Sequence, residues 1–116
     1  MHNFKKLNVW QKARLLVKKI YLITKKFPKE ELFGLTSQIR RASISVLSNI
    51  AEGAGRDSEK DFKRFLDIAN GSAFELETQI ILSFDLEYIN AKEMDSLLFT
   101  IEEIQKMIYG LKNKLR

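Results

Sequence analysis

The sequence predicts an all-α protein folded as an antiparallel, up-down-up-down four-helix bundle, one domain spanning residues 1–116. Three observations lead there. Apolar residues recur at three- and four-residue steps through most of the chain, the period of an amphipathic helix. Short links separate four such stretches, which favours antiparallel neighbours. A length of 116 residues with 45% apolar content fills a single core without disulfide or metal reinforcement.

The first helix is expected from about Leu7 to Lys26, with Trp10, Ala13, Val17, Ile20, Thr24 and Phe27 on its core face. The only proline, Pro28, and Gly34 bracket the link that follows. The second helix is expected from Leu35 to Gly53, with Leu35, Ile39, Val46 and Ile50 in one stripe that Ile44, Leu47 and Ala51 widen. Gly53 and Gly55 suit its end. Asp57 or Ser58 can cap the third helix, read over 58–88, in which Phe62, Leu66, Ala69, Ala73, Leu76 and Ile80 drift toward Phe84 and Tyr88. Asn90 with Glu93 three residues on is a capping box opening the fourth, 91–115, with Leu97, Ile101, Ile104, Ile108, Leu111 and Leu115 inward. Asn70-Gly71 is a hairpin signal, but helical phase persists on both sides. The glycine then reads as a place where a neighbouring backbone comes close.

Charge is unevenly spread. Residues 1–29 hold nine cations and no acid, whereas Asp67 to Glu103 hold nine acids against Lys92 alone. Opposite fields at the two ends suit a polyanion partner or head-to-tail self-association. The absence of cysteine removes disulfides and thiolate chemistry and is compatible with a cytoplasmic location. No uninterrupted apolar run of signal-peptide or membrane-spanning length occurs, so a soluble, unprocessed chain is expected.

Catalytic constellations are not evident. The one histidine, His2, lies in a terminus expected to fray, so a histidine-containing di-iron site or a serine–histidine pair has no ligand or base. Glu52, Glu75 and Glu77 are ordinary for solvated helix faces, and Glu52-Gly53-Ala54-Gly55-Arg56 lacks the strand and lysine of a phosphate-binding loop. A non-enzymatic protein without metal or cofactor is expected.

On the first helix, Lys5, Lys12, Lys19 and Lys26 repeat every seven residues along one edge, and Arg14, Lys18 and Lys25 occupy the other. Between them Leu15 and Leu22 point away from the core, as a subunit contact or as ordinary exposed leucines. The basic strips read as a solvated face, a nucleic-acid surface or an in-plane membrane helix, the last disfavoured because the apolar face belongs to the bundle. With few aromatics to stack on bases, binding to RNA or DNA would run through phosphates and depend strongly on salt. The outer face of the second helix, Ser37, Gln38, Arg41, Ser45, Ser48, Asn49 and Glu52, is small and weakly charged, which suits packing against another helix within the bundle or beyond it.

Several segments together resemble the four-helix-bundle proteins encoded in 23S ribosomal RNA intervening sequences. They are Trp10-x-x-Ala13, Ile20-Tyr21-x-x-Thr24-x-x-Phe27-Pro28, Gln38-Ile39-Arg40-Arg41-Ala42, Ser45-x-x-Ser48-Asn49-Ile50-Ala51-Glu52-Gly53 and Ala69-Asn70-Gly71-Ser72-x-x-Glu75-Leu76. The resemblance implies a homopentameric ring with a basic surface, as in the similar accessory proteins of diversity-generating retroelements. Those associate with nucleic acid and a reverse transcriptase, a partner implied here only if the gene lies beside one. No catalytic residue comes with the family. Arg41, Asn49, Glu52, Gly71, Ser72 and Glu75 look like positions that fix helix packing or subunit contacts. The leading expectation is an oligomeric bundle that binds RNA or DNA through phosphates. The alternative is a protein-interaction adaptor whose charge asymmetry drives assembly.

Overall fold

All four periodic stretches are helical. In a computed structural model describing residues 1–116, α1 spans Asn8–Thr24, α2 Leu35–Ala54, α3 Glu59–Asp85 and α4 Ala91–Lys114. Short 3-10 turns at Phe4–Lys6 and Lys29–Glu31 precede α1 and α2. Two helix starts follow the local chemistry. The Ser58 hydroxyl accepts from the Asp61 N–H at 3.1 Å, and Asn90 and Glu93 form the reciprocal capping box, their backbone-to-side-chain bonds 3.0 and 2.8 Å long.

α3 stops three residues short of Tyr88. Glu87 takes a left-handed conformation (φ 65°), and the Tyr88 and Glu87 N–H groups turn back to the carbonyls of Ser83 and Phe84, each at 2.9 Å. Tyr88 is thereby drawn out of the helical stripe: its ring packs 5.3 Å from that of Phe27, and its hydroxyl donates to Glu31 Oε2 at 2.8 Å. A glutamate pays a Cβ clash at such a position that glycine avoids. Glu87→Gly is therefore expected to raise stability by about 0.5–1 kcal/mol, read as a higher urea midpoint at unchanged slope.

Partners across the helices establish the topology. Asp67 meets Lys112 and Glu77 meets Gln105 across α3 and α4, while Lys12 meets Glu103 and Lys26 meets Glu93 across α1 and α4. In both pairs of helices one number rises as the other falls, so the helices run antiparallel. Each helix packs on its two ring neighbours, and α1 and α3 lie diagonally, with no Cα atoms within 8 Å of each other. The bundle measures 43 × 24 × 20 Å. Its core is aliphatic: Ile20, Ile39, Ile50, Leu66, Leu76, Ile80, Ile101 and Ile104 are all fully buried, each contributing roughly 1.5–3 kcal/mol through removal from water.

Two faces are rotated from those expected. In α1, Val9 and Leu16 are buried beside Ala13, Ile20 and Thr24, whereas Trp10 and Val17 are only half-buried. The turn at Phe4–Lys6 folds back so that the Phe4 ring packs 4.9 Å from the Trp10 ring near the surface, and Val9 and Leu16 take the inward positions. In α2 the stripe widens through Ala42, Ser43, Gly53 and Ala54, while Ile44 is exposed. The small residues belong on the inside because α2 and α3 approach closely. A Cβ on Gly53 would lie 2.7 Å from Phe65 Cβ and 2.9 Å from Phe62 Cδ1, so this buried glycine in the last turn of α2 permits the close contact with α3, while Gly55 caps the helix end as expected. Gly71 shows the reverse. It stays helical, yet a Cβ there would meet nothing within 4 Å, which corrects the reading of a close approach at that point within the chain.

The chain start is also tied down. The His2 N–H donates to the Ala54 carbonyl at 2.7 Å, and the imidazole packs 5.0 Å from the Phe62 ring. Two polar seams complete the packing. Arg40 Nε donates to Thr24 Oγ1 at 2.9 Å while its guanidinium lies 4.6 Å from the Tyr21 ring, joining α1 to α2. Ser45 and Ser72 share a 2.8 Å hydrogen bond between α2 and α3.

Candidate nucleic-acid interface

The cations of α1 fall into two sets with different surroundings. On the edge toward α4, Lys12 Nζ donates to Glu103 Oε1 at 2.9 Å and Lys26 pairs with Glu93. Those two charges are partly neutralised inside the molecule. On the outer edge, Arg14, Lys18 and Lys25 are exposed and form no ion pair, as does Lys19 on the α4 side. Arg14 lies 5.7 Å from the Trp10 ring, and Lys5, in the turn ahead of α1, lies 6.0 Å from that of Phe4. A cation held against an aromatic face keeps its outward donors free for a phosphate. Of the seven basic residues singled out in the sequence, the structure leaves Lys5, Arg14, Lys18, Lys19 and Lys25 without an acidic partner.

Between α1 and α4 runs an apolar groove of about 660 Å³, floored by Leu15, Leu22 and Phe99 and edged by Lys12, Lys18, Lys19 and Glu103. Its origin is local. The two ion pairs hold α1 to α4 at separate points, and Ser96 and Thr100 are too small to fill the space between. Leu15, Leu22 and Phe99 are 60%, 55% and 65% exposed, so the outward direction read for the two leucines is the observed one. Phe99 lies off the inward heptad positions of α4 and carries no core signal in the sequence. An aromatic two residues after Leu97 is the signal that could have found it.

The second group of candidate residues does not form one site. Asn49 donates to the Ser45 carbonyl at 2.8 Å and to its hydroxyl at 3.0 Å, and with Ser72 belongs to the α2–α3 seam inside the chain. Glu52 pairs with Arg56 one turn away, at 2.9 Å. Arg41 and Glu75 line a shallow groove with Gln38 and Ser45, neither engaged in an ion pair. Gly71 is exposed and untouched. The weakly charged face of α2 thus divides: Ser45 and Asn49 serve the intramolecular contact, while Gln38, Arg41, Ser48 and Glu52 face solvent. Glu52, Glu75 and Glu77 do not converge, since Glu77 turns to Gln105 on α4, and no three acidic or histidine side chains gather where they could share a metal.

One carboxyl on this side of the bundle is displaced in its titration. The Lys26 ammonium hydrogen-bonded to Glu93, assisted by the Asn90 N–H, holds that carboxyl below its usual value of 4.5. A group with a lowered folded-state pKa contributes stability that is present above its unfolded value and lost as pH falls through the folded one. Glu93→Gln is expected to cost roughly 0.5 kcal/mol at neutral pH, the scale of an acid in a first helical turn. Melting curves of the two proteins should converge below about pH 4.5. At the same end of the bundle the hydrogen bond to Glu31 holds the Tyr88 phenol above its ordinary value.

A small bundle of four helices, with a row of free cations along one outer helix and an apolar groove beside it, defines a class of compact helical modules that present a surface rather than an enclosed pocket. The sequence matches, over residues 5–110, the family described as 23S rRNA-intervening sequence protein, and the chain belongs to that family. No curated protein matches it. Among solved structures it is similar to the crystal structure of a protein of unknown function from the S23 ribosomal protein family of Bacteroides thetaiotaomicron VPI-5482. The two are 27% identical, with 90% of this chain and 95% of the other covered, at a TM-score of 0.83. No helix of the chain is long and apolar enough to cross a membrane.

Proposed function

We propose that this protein is a non-enzymatic, self-assembling helical subunit of the cytoplasm that binds RNA or DNA through phosphate contacts along the outer edge of α1. The observation that carries the proposal is the row Arg14, Lys18 and Lys25, exposed and unpaired, on a helix without a single acid. Membership of a family described by an intervening sequence in 23S rRNA supports an RNA-related role. Helical cations without stacking aromatics contact backbone rather than bases, so affinity exceeds sequence preference. A homopentamer is the assembly that the family resemblance implies. A reverse transcriptase is a partner only where the gene neighbours one.

Gel-shift titrations with unstructured RNA and duplex DNA over a range of salt test this reading. Binding that weakens with salt, and weakens further on reversing Arg14, Lys18 and Lys25 to glutamate, is expected. No binding at low salt, or binding indifferent to those reversals, would sink it. The alternative, an adaptor for protein partners, is favoured by the apolar groove, which phosphate binding does not require.

A further inference from the structure

We propose that the end of the bundle formed by the α1–α2 and α3–α4 turns is a docking surface for a short cationic segment of a partner protein, one that carries an apolar anchor. The two turns are joined: Tyr88 donates to Glu31 Oε2 at 2.8 Å and packs its ring against that of Phe27. On this platform Phe33 stands 94% exposed, more than any other phenylalanine, beside Leu32 at 50%. Its backbone is nonetheless pinned. The Gly34 N–H donates to the Glu31 carbonyl at 2.9 Å, and the Leu35 N–H donates to the Glu31 carboxylate at 3.2 Å. An anchor carried by a fixed backbone loses less entropy on binding than one in a mobile loop.

α3 extends the apolar patch. Ser72 reaches Ser45 of α2, and Glu75 lines the groove with Gln38 and Arg41. Leu86 repeats the Ser72 position two heptads on, and Leu82 repeats the Glu75 position one heptad on, so both lie on the α2 side of α3, at the level where α2 begins. They are 45% and 44% exposed. Charge sets the chemistry of the occupant. Residues 29–33 and 82–88 hold Glu30, Glu31, Asp85 and Glu87 against Lys29 alone, and Glu30, Asp85 and Glu87 form no ion pair. This end therefore repels nucleic acid and anionic lipid and attracts a cation. Size argues against a second copy. A stable dimer engages about 20–30 residues a side, whereas the patch of Leu32, Phe33, Leu82 and Leu86 suits a short segment whose arginines or lysines reach the carboxylates around it. The contact uses neither the cationic edge of α1 nor the groove beside it, and it stands whether or not nucleic acid is bound.

The probe is a short fluorescein-labelled peptide in which tryptophan and leucine alternate with arginine, titrated with the full chain and followed by fluorescence anisotropy. Saturable binding is expected, weakened about 30-fold by Phe33→Ser, as loss of a central aromatic anchor does. Glu30→Lys with Glu87→Lys, and Leu82→Ser with Leu86→Ser, are expected to weaken it by about 10-fold or more. Peptides with glutamate in place of arginine, or serine in place of tryptophan and leucine, should not bind. Phe33 is almost wholly exposed, so Phe33→Ser should keep wild-type helicity by circular dichroism and wild-type mass by light scattering. Absence of binding, binding indifferent to Phe33→Ser or to the charge reversals, or equal binding of the glutamate peptide would overturn the proposal. So would a fall in mass with Phe33→Ser, which would make the patch a contact between copies. Adsorption of the chain to phosphatidylcholine vesicles that is lost with Phe33→Ser would overturn it as well, since the patch would then be a lipid anchor.

Discussion

Replacing Gly53 by alanine is expected to destabilise the fold by about 3 kcal/mol, whereas the same substitution at Gly71 is expected to stabilise it by roughly 1 kcal/mol. Both glycines lie within helices, so propensity alone favours alanine at both. Surroundings reverse the sign at one of them. At Gly53 the added methyl would stand 2.7 Å from Phe65 Cβ and 2.9 Å from Phe62 Cδ1. The first atom is fixed to the α3 backbone, and the second belongs to a ring that is fully buried. Relief therefore requires α2 and α3 to separate along the seam that also contains the Ser45–Ser72 hydrogen bond. A loss of that size lowers the melting temperature by on the order of 10 °C for a domain of this length. At Gly71 the methyl meets nothing and the substitution removes only excess backbone freedom. Urea unfolding below the concentration of self-association, where assembly does not add to stability, would compare the two directly. A destabilised Gly71→Ala monomer, or a neutral Gly53→Ala, would show that the packing of α3 is misassigned.

The pair also shows where sequence reasoning reaches its limit. Four helices and their starts were legible because they depend on neighbours within four residues: apolar period, the Ser58 cap and the Asn90–Glu93 box are all local. The two glycines were not. Gly53 stands in the last turn of α2, as its position suggests, but the close approach expected at Gly71 occurs at Gly53 instead, because what lies opposite a glycine is supplied by a different helix. The rotation of the α1 face has the same origin. Trp10 and Val17 are as compatible with the helical period as Val9 and Leu16, and the folded-back turn carrying Phe4 decides between them. The left-handed turn at Glu87 is not legible in the sequence, because a glutamate carries none of the signal that a glycine would.

The candidate site was legible to a similar depth. The two basic edges and the outward leucines followed from the helical period, and the structure places Leu15 and Leu22 at the surface. What spacing could not supply was the fate of each charge. Lys12 and Lys26 find acids 91 and 67 residues away, on a helix whose register against α1 is a product of folding. The acidic stretch of the sequence thus has two destinations. Its α4 members Glu93 and Glu103 partly neutralise one edge of α1, while its α3 members lie across the bundle from α1, where Asp67 and Glu77 turn to Lys112 and Gln105 of α4.

This division gives the second large effect. Reversing the outer edge, with Arg14, Lys18 and Lys25 changed to glutamate, should flatten the logarithmic salt dependence of nucleic-acid binding by about 2–3, since each lost phosphate contact removes roughly 0.7 on single strands and 0.9 on duplex DNA. Between 50 and 200 mM salt the wild-type chain would then lose about 20–40-fold more affinity than the variant, from those three contacts alone. Neutralising the inner edge with Lys12→Gln and Lys26→Gln should leave the slope nearly unchanged, because those ammonium groups are already paired with Glu103 and Glu93 and release few counterions. The two triplet and doublet variants differ in charge as well as place, so Arg14→Gln, Lys18→Gln and Lys25→Gln provide the matched neutral set. Equal slopes for the inner and outer neutral sets would mean that net charge, rather than the unpaired edge of α1, governs binding.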